Sequence, residues 1–281
     1  QVQHELTRRG PDASLFSYGL FRFLVGLNKK VLIANNVAAI ADMAFKLSAQ
    51  GNLHFIDAWL GIVAYTVQIY FDFSGYSDMA IGLAAMAGFH FEENFNRPYS
   101  STSIREFWRR WHISLSSWLR DYLYIPLGGS RGSVLSTYKN QLVVFFICGL
   151  WHGANMTFIV WGLWHGVFLI LERMKAGLLM TQLPSSLGRV YVLLVVMLGW
   201  VFFRAENITE AMSYMTTLFM PSLDAPVLSF YTMSMLVLGI GCALCLVPDR
   251  LLPSFPISRQ KDFSTGLYVC QVVLAVVSVS M

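Results

Sequence analysis

The chain has 281 residues, of which 56% are hydrophobic, 15% aromatic and 13% charged. Soluble domains carry about 25% charged residues, so this composition excludes an ordinary water-soluble domain and makes lipid the solvent for most of the surface. Lysine and arginine together exceed aspartate and glutamate by only 20 to 16, which does not point to nucleic acid as a partner.

The chain opens at Gln1 without a signal sequence and closes within the apolar run Leu267 to Met281, which is shorter than the roughly 20 residues a span needs. It reads as one membrane domain, 1–281, cut at both ends.

The first apolar stretch, Leu15 to Phe45, carries Arg22, Lys29, Lys30 and Asp42. Central charges are costly in hydrocarbon, so it reads as an interfacial helix or a span flanked by charge. Two further stretches, Trp59 to Phe73 and Ile81 to Phe91, are separated by Ser74, Gly75, Ser77 and Asp78, with Asp72 at the edge. Such polar, glycine-containing backbone survives at membrane depth only when protein buries it or it lines a cavity.

Glu92 to Lys139 is the main polar section, with Arg97, Arg105, Arg109, Arg110, Arg120, Arg131 and Lys139 against four acidic residues. The positive-inside rule places it on the cytoplasmic side. Within it, Ser103-x-x-Glu106 is a capping-box signature that opens a predicted amphipathic helix over about 103–124. At 100° per residue, Ile104, Phe107, Trp108, Trp111, Leu115, Trp118, Leu119 and Tyr122 share one arc, which suits an interfacial helix. Arg105, Arg109 and Arg120 lie on the polar flank, and His112 sits where flank meets arc. The arginines suit the phosphates of an acyl donor or of lipid head groups. His112 taken alone reads as a surface histidine near a phosphate or carboxylate. Gly128-Gly129-Ser130-Arg131-Gly132 lacks the Gly-Lys-Ser/Thr of a nucleotide-binding loop and reads as a tight turn.

From Gln141 to Leu171 no residue is charged, yet His152, Asn155 and His165 occur there. One straight helix of that length would measure about 46 Å against a hydrocarbon core of about 30 Å, so it must tilt or break. Gly149 and Gly153 bracket Trp151-His152 and mark a break or a close helix contact.

A neutral imidazole buried there without partners costs about 1–3 kcal/mol, so His152 requires a hydrogen-bond partner or a water-filled cavity. Neutral, it can accept a proton as a general base; the alternative is a packing histidine that bridges two helices. Asn155, at i+3 on the same face, would orient that ring, polarise a carbonyl or bond to another helix. His165, about 220° round a continuous helix from His152, reads as a packing residue.

Beyond these lie the apolar stretches Val190 to Phe203 and Val227 to Val247, with Cys242-x-x-Cys245 in the second. That pair and Cys148 and Cys270 all sit in apolar runs, which favours packed thiols over zinc or redox chemistry, and no metal site is expected. No internal repeat or low-complexity tract is evident.

Four segments carry a resemblance to a known family: Tyr70 to Gly82 (YFDFSGYSDMAIG), Asn94 to Tyr99 (NFNRPY), Arg105 to Tyr122 (REFWRRWHISLSSWLRDY) and Gly149 to Gly153 (GLWHG). In this order they resemble the membrane-bound O-acyltransferase (MBOAT) family, over a core of about residues 65–172. Ile125 to Arg131 (IPLGGSR) is similar to its alginate O-acetyltransferase branch rather than the branch that D-alanylates teichoic acid.

The resemblance implies an all-α, polytopic fold: a ring of helices with broken or re-entrant segments and interfacial helices round a thinned centre. It implies a multi-pass enzyme of the bacterial inner membrane that moves an acetyl group from a cytoplasmic donor toward hydroxyls of an exported polysaccharide such as alginate. Acetyl-CoA is then the donor substrate, with no bound cofactor. The partners are the bilayer, the acyl donor, and a polysaccharide or a periplasmic transferase. The family's essential histidine maps onto His152 and its second histidine onto His112. Asn155, Asp72, Asp78, Arg109, Arg120 and Trp151 are the candidate substrate-binding residues. A D-alanyl or other carrier-dependent acyltransferase, and a transporter or structural subunit, are the alternatives.

Overall fold

The computed structural model describes residues 12–174, 177, 184–222, 226, 228 and 232–246, in which helices and loops occur and no strand. Among the described residues, four helical segments are long and apolar enough to cross a membrane: Ala13–Ala49, Val134–His152, Met156–Arg173 and Ser185–Arg204. Side chains such as Leu135, Val190 and Leu236 are exposed, as a lipid-facing surface requires. The all-α membrane architecture expected from the sequence is the one observed. The terminal apolar run and Cys270 lie outside the described residues.

The chain divides into two compact units, residues 1–39, 67–94 and 231–281 in one and 40–66 and 95–230 in the other. The first contains α1 (Ala13–Asn28), a π-helical turn (Lys29–Ala34), most of α3 (Phe55–Met86) and α10 (Thr232–Leu246). Asp12 opens α1 by accepting the backbone N–H groups of Ser14 and Leu15.

Glycines bring α1 and α3 together. A Cβ on Gly82 would lie 2.5 Å from the Gly19 carbonyl, and one on Gly75 would lie 2.7 Å from the Gly26 carbonyl. These pairs run in opposite directions along the chain, so the helices are antiparallel and in backbone contact.

That approach solves the charge problem posed by the sequence. Asp78 accepts from Arg22, whose Nη2 lies 2.6 Å away, and pairs with Lys29 at 2.6 Å, while Arg22 also reaches Glu93 at 2.5 Å. Lys30 pairs with Asp72. With its carboxylates neutralised, α3 runs unbroken through the polar stretch that separates two apolar segments in the sequence.

The second unit contains the end of α2 (Asn35–Ala49), the start of α3, α4 (Ile104–Arg110), α5 (Ile113–Leu119), α6 (Val134–His152), α7 (Met156–Arg173), α8 (Ser185–Arg204) and α9 (Ile208–Phe219). Its core is aromatic, with Tyr99, Phe107, Trp161, Trp200 and Tyr214 almost fully buried. The phenols find carbonyl acceptors: Tyr99 donates to Thr66 and Tyr214 to Ala58, both at 2.8 Å.

The single amphipathic helix expected over 103–124 is not formed. Ser103 caps α4 by accepting the N–H of Glu106, and Glu106 in turn accepts the N–H of Thr102. The helix then stops: Trp111 is extended at φ −103° and ψ 127°, and His112 is left-handed at φ 45° and ψ 56°. A π-helical turn follows α5 over Arg120–Tyr124. The interruption breaks the 100° register, so Trp111 is buried against Trp200 while Trp118 and Tyr122 of the expected arc are exposed.

The uncharged run Gln141 to Leu171 is a hairpin of two helices, each long enough to cross on its own. Glycines again set the contact, since a Cβ on Gly162 would fall on the Phe145 carbonyl and lie 3.2 Å from the Gly149 nitrogen. The loop 128–132 is the tight turn expected, with Asn140 donating to the carbonyls of Leu127 and Gly129.

Candidate active site

His152 is the last residue of α6. Gly153 ends the helix at φ 156° and ψ 161°, a backbone conformation essentially restricted to glycine, and a Cβ there would also lie 3.0 Å from the Phe158 ring. Asn155 then caps α7 by accepting the N–H of Thr157 at 3.1 Å, while its Nδ2 donates to the Glu206 carbonyl at 2.7 Å. The sequence geometry that put Asn155 on the His152 face at i+3 therefore fails, because the helix has already ended. Its amide pins the hairpin tip to the loop after α8.

Rings enclose His152. Trp151 lies at 4.8 Å between centroids, Phe203 at 5.0 Å, Trp161 at 5.1 Å and Phe158 at 6.0 Å. The imidazole is half-buried and hydrogen-bonds none of the described residues, so its ring nitrogens are uncommitted.

His112 approaches from another helix end. It starts α5 from the left-handed region, which is uncommon for a residue with a side chain and places the ring 6.1 Å from Trp151. Ser114 Oγ lies 3.4 Å from its Nδ1. Burial pushes its pKa down from 6.5 to about 4, so it is neutral at physiological pH. Both histidines thus flank Trp151, itself 60% exposed.

A cavity of about 370 Å³ lies among α4, α5, the π-helical turn, α6 and α7. Arg105, Arg109, Arg120 and Arg173 line it, together with Tyr124, and no acidic side chain does so. Arg109 and Arg120, both expected at a substrate, are brought together here, although Arg120 is also paired with the neighbouring Asp121 at 2.7 Å. Asp72 and Asp78 belong to the other unit, where lysine and arginine partners engage them.

His165, read from the sequence as a packing residue, is one, and Gln141 is a residue that the sequence reading did not single out. His165 is fully buried, stacks nearly parallel to Phe107 at 6.1 Å and touches Trp161, the ring that also touches His152. The 220° offset assumed a continuous helix, and the break at Gly153 removes that premise. The pentapeptide GLWHG at Gly149 to Gly153 recurs at Gly162 to Gly166, a short repeat that the sequence reading above passed over. Gln141, buried in the cavity wall, carried no signal in the sequence alone.

Residues 1–209 match the family model for MBOAT, the membrane-bound O-acyltransferase family. The chain is 55% identical over 207 residues to a Pseudomonas aeruginosa protein named probable alginate O-acetylase AlgI, covering 74% of this chain and 39% of the relative. It is 46% identical over 197 residues to a Helicobacter pylori peptidoglycan O-acetyltransferase, covering 69% of this chain and 37% of the relative. Identity to a Bacillus subtilis teichoic acid D-alanyltransferase is 30% over 141 residues, covering 48% of this chain and 33% of the relative. The chain thus spans about two fifths of the length of curated relatives that it matches. With the motifs in order and the match running through both histidines, the chain belongs to the membrane-bound O-acyltransferase family.

Proposed function

We propose that this protein is an O-acetyltransferase of the bacterial inner membrane. It takes an acetyl group from a cytoplasmic thioester, acetyl-CoA, and passes it toward hydroxyls of an exported polysaccharide or to a periplasmic transferase that finishes the delivery. The observation that carries this reading is the meeting of two histidines from two helix ends beside Trp151, inside an aromatic enclosure. The names of the more similar relatives, acetylases of alginate and peptidoglycan, support acetyl over D-alanyl.

In this mechanism an uncommitted nitrogen of His152 accepts the acceptor's hydroxyl proton as the oxygen attacks the thioester carbonyl. The tetrahedral intermediate places negative charge on the former carbonyl oxygen. Neutral His112 offers one ring N–H to that oxyanion. Collapse breaks the carbon–sulfur bond, and the leaving thiolate takes the proton held on His152. The products are an ester and a free thiol. Asn155, committed to the α7 cap and the Glu206 carbonyl, acts by fixing the position of His152.

The test is transfer of radiolabelled acetyl from acetyl-CoA in membranes holding the full-length protein, with wild type compared with His152→Ala and His112→Ala at matched expression. Loss of label in the polysaccharide or partner fraction for His152→Ala is the expected result. Retained transfer overturns the role of the base. Transfer only from an acylated carrier protein reassigns the donor.

A further inference from the structure

His165 stands where three helices meet. It is fully buried, and Phe107 and Trp108 of α4, Trp161 of α7 and Trp200 of α8 surround it at ring-centroid separations of 6.1, 5.2, 5.4 and 6.5 Å. The imidazole has no room to retreat toward α8, since a Cβ on Gly199 would lie 3.1 Å from its Nε2.

Neither ring nitrogen of His165 has a hydrogen-bond partner among the described residues, and neither does the indole N–H of Trp108, Trp161 or Trp200. An indole only donates, whereas an imidazole carrying one proton both donates and accepts. Of these four rings, His165 alone offers an acceptor. A leucine or phenylalanine would fill much of the same space without burying unpaired nitrogens, so packing by itself does not call for an imidazole here.

Two lines of packed rings run from His165 to the two histidines of the site. One passes through Trp161, whose ring stands perpendicular to His152 at 5.1 Å. The other passes through Phe107 to Trp111, stacked at 5.6 Å, and the residue after Trp111 is His112. Close-packed cores transmit displacement rather than absorb it. A shift at His165 therefore reaches both His152 and His112, which belong to different helix ends.

We propose that His165 is a positioning residue for acyl transfer: it holds Trp161 and the α4 rings in register and so sets where His152 and His112 stand relative to each other. The inference rests on the acyl-transfer reading above. His165 itself touches no reacting atom. Its accepting nitrogen gives the surrounding indole N–H groups a common point to turn to, which a hydrocarbon side chain does not. A displacement of about 1 Å at a reacting group costs on the order of a hundredfold in rate, so the effect falls on kcat.

The experiment follows radiolabelled acetyl from acetyl-CoA in the full-length protein reconstituted in nanodiscs. Wild type, His165→Leu and His165→Gln are compared, each with and without His112→Ala. His165→Leu is expected to lower kcat by about tenfold or more, with KM for the donor nearly unchanged. His165→Gln, which restores an acceptor, should recover part of that loss. In the His112→Ala background the fold-loss from His165→Leu should be at least about threefold smaller, because a residue that acts partly through His112 loses that share when His112 is gone.

A second readout needs no turnover. Diethyl pyrocarbonate modifies accessible imidazoles, and mass spectrometry gives the rate at each histidine. In His165→Leu the rates at half-buried His112 and His152 should both change, while exposed His90 keeps its wild-type rate.

Wild-type kcat in His165→Leu, an equal fold-loss with and without His112, or unchanged modification rates at His112 and His152 overturns the proposal. If wild type itself transfers no acetyl, the acyl-transfer reading falls, and the modification rates still decide whether His165 positions the two histidines. Should His165→Leu fail to fold, Gly199→Ala, which presses a methyl group on Nε2, carries the same measurements. Wild-type kcat and modification rates in that variant then overturn the proposal.

Discussion

The carboxylate of Glu172, at the end of α7, closes the N-terminus of α4 by accepting the backbone N–H of Ile104 at 2.5 Å and that of Arg105 at 3.0 Å. A helix end leaves these groups unsatisfied, so a residue 68 positions away supplies a cap that local sequence does not. The helix that carries Arg105 and Arg109 and leads into His112 is thereby fixed to the helix that follows the His152 break.

Glu172→Ala is expected to lower stability by about 1–2 kcal/mol, the usual cost of a lost cap, and to reduce acyl transfer by loosening α4. A thermal melt in detergent checks the first effect. Glu172→Gln, which retains an acceptor oxygen, should recover part of the loss.

Gly162→Ala puts a methyl group on the Phe145 carbonyl and against the Gly149 backbone. The hairpin must spread, with an expected cost of about 1–3 kcal/mol, measurable as a lower midpoint in denaturant titration. An alanine tolerated without loss would show that α6 and α7 do not touch along their backbones.

Asp78→Asn removes the charge that Arg22 and Lys29 share, and the Asp78 side chain is only 5% exposed. A loss of about 3 kcal/mol is expected, at the lower end for a broken buried pair because Glu93 still engages Arg22. At temperatures where the variant is folded, KM for donor and acceptor should be unchanged. A raised KM in the folded variant would instead make Asp78 a substrate ligand.

His112 gives the protein an acid-sensitive element of defined sign. The unfolded imidazole binds a proton near pH 6.5, whereas the folded one, disfavoured by burial, does so only near pH 4. The stability linked to this residue is complete above pH 6.5 and is lost as the pH falls toward 4. Unfolding curves from pH 7 to 4.5 should therefore converge for wild type and His112→Asn. Curves that stay parallel would contradict the buried state.

How much of this was legible depended on the range of the interaction. The capping box at Ser103 and Glu106 and the need for a break near Gly153 follow from a few adjacent residues, and both are present. The run 103–124 failed as one helix because no local rule requires His112 to adopt a left-handed backbone. The polar stretch around Asp72 and Asp78 looked like an interruption because its partners, Arg22, Lys29 and Lys30, lie more than 40 residues earlier. The packing role read for His165 holds, since it is fully buried among rings, although the periodicity behind that reading assumed a continuous helix. At the site, motif resemblance picked out His112 and His152, whereas Gln141 became visible only as an unpaired atom in a cavity wall.

The α6–α7 hairpin also fixes a parity. Two antiparallel helices, each long enough to cross, return the chain to the face it left, so Val134 and Arg173 share one side of the bilayer. A single 31-residue crossing would have put them on opposite sides and inverted the orientation of everything downstream. Reporter fusions before α6 and after α7 should therefore read the same compartment. The arginines before and after the hairpin then form one positive face because the chain comes back to it.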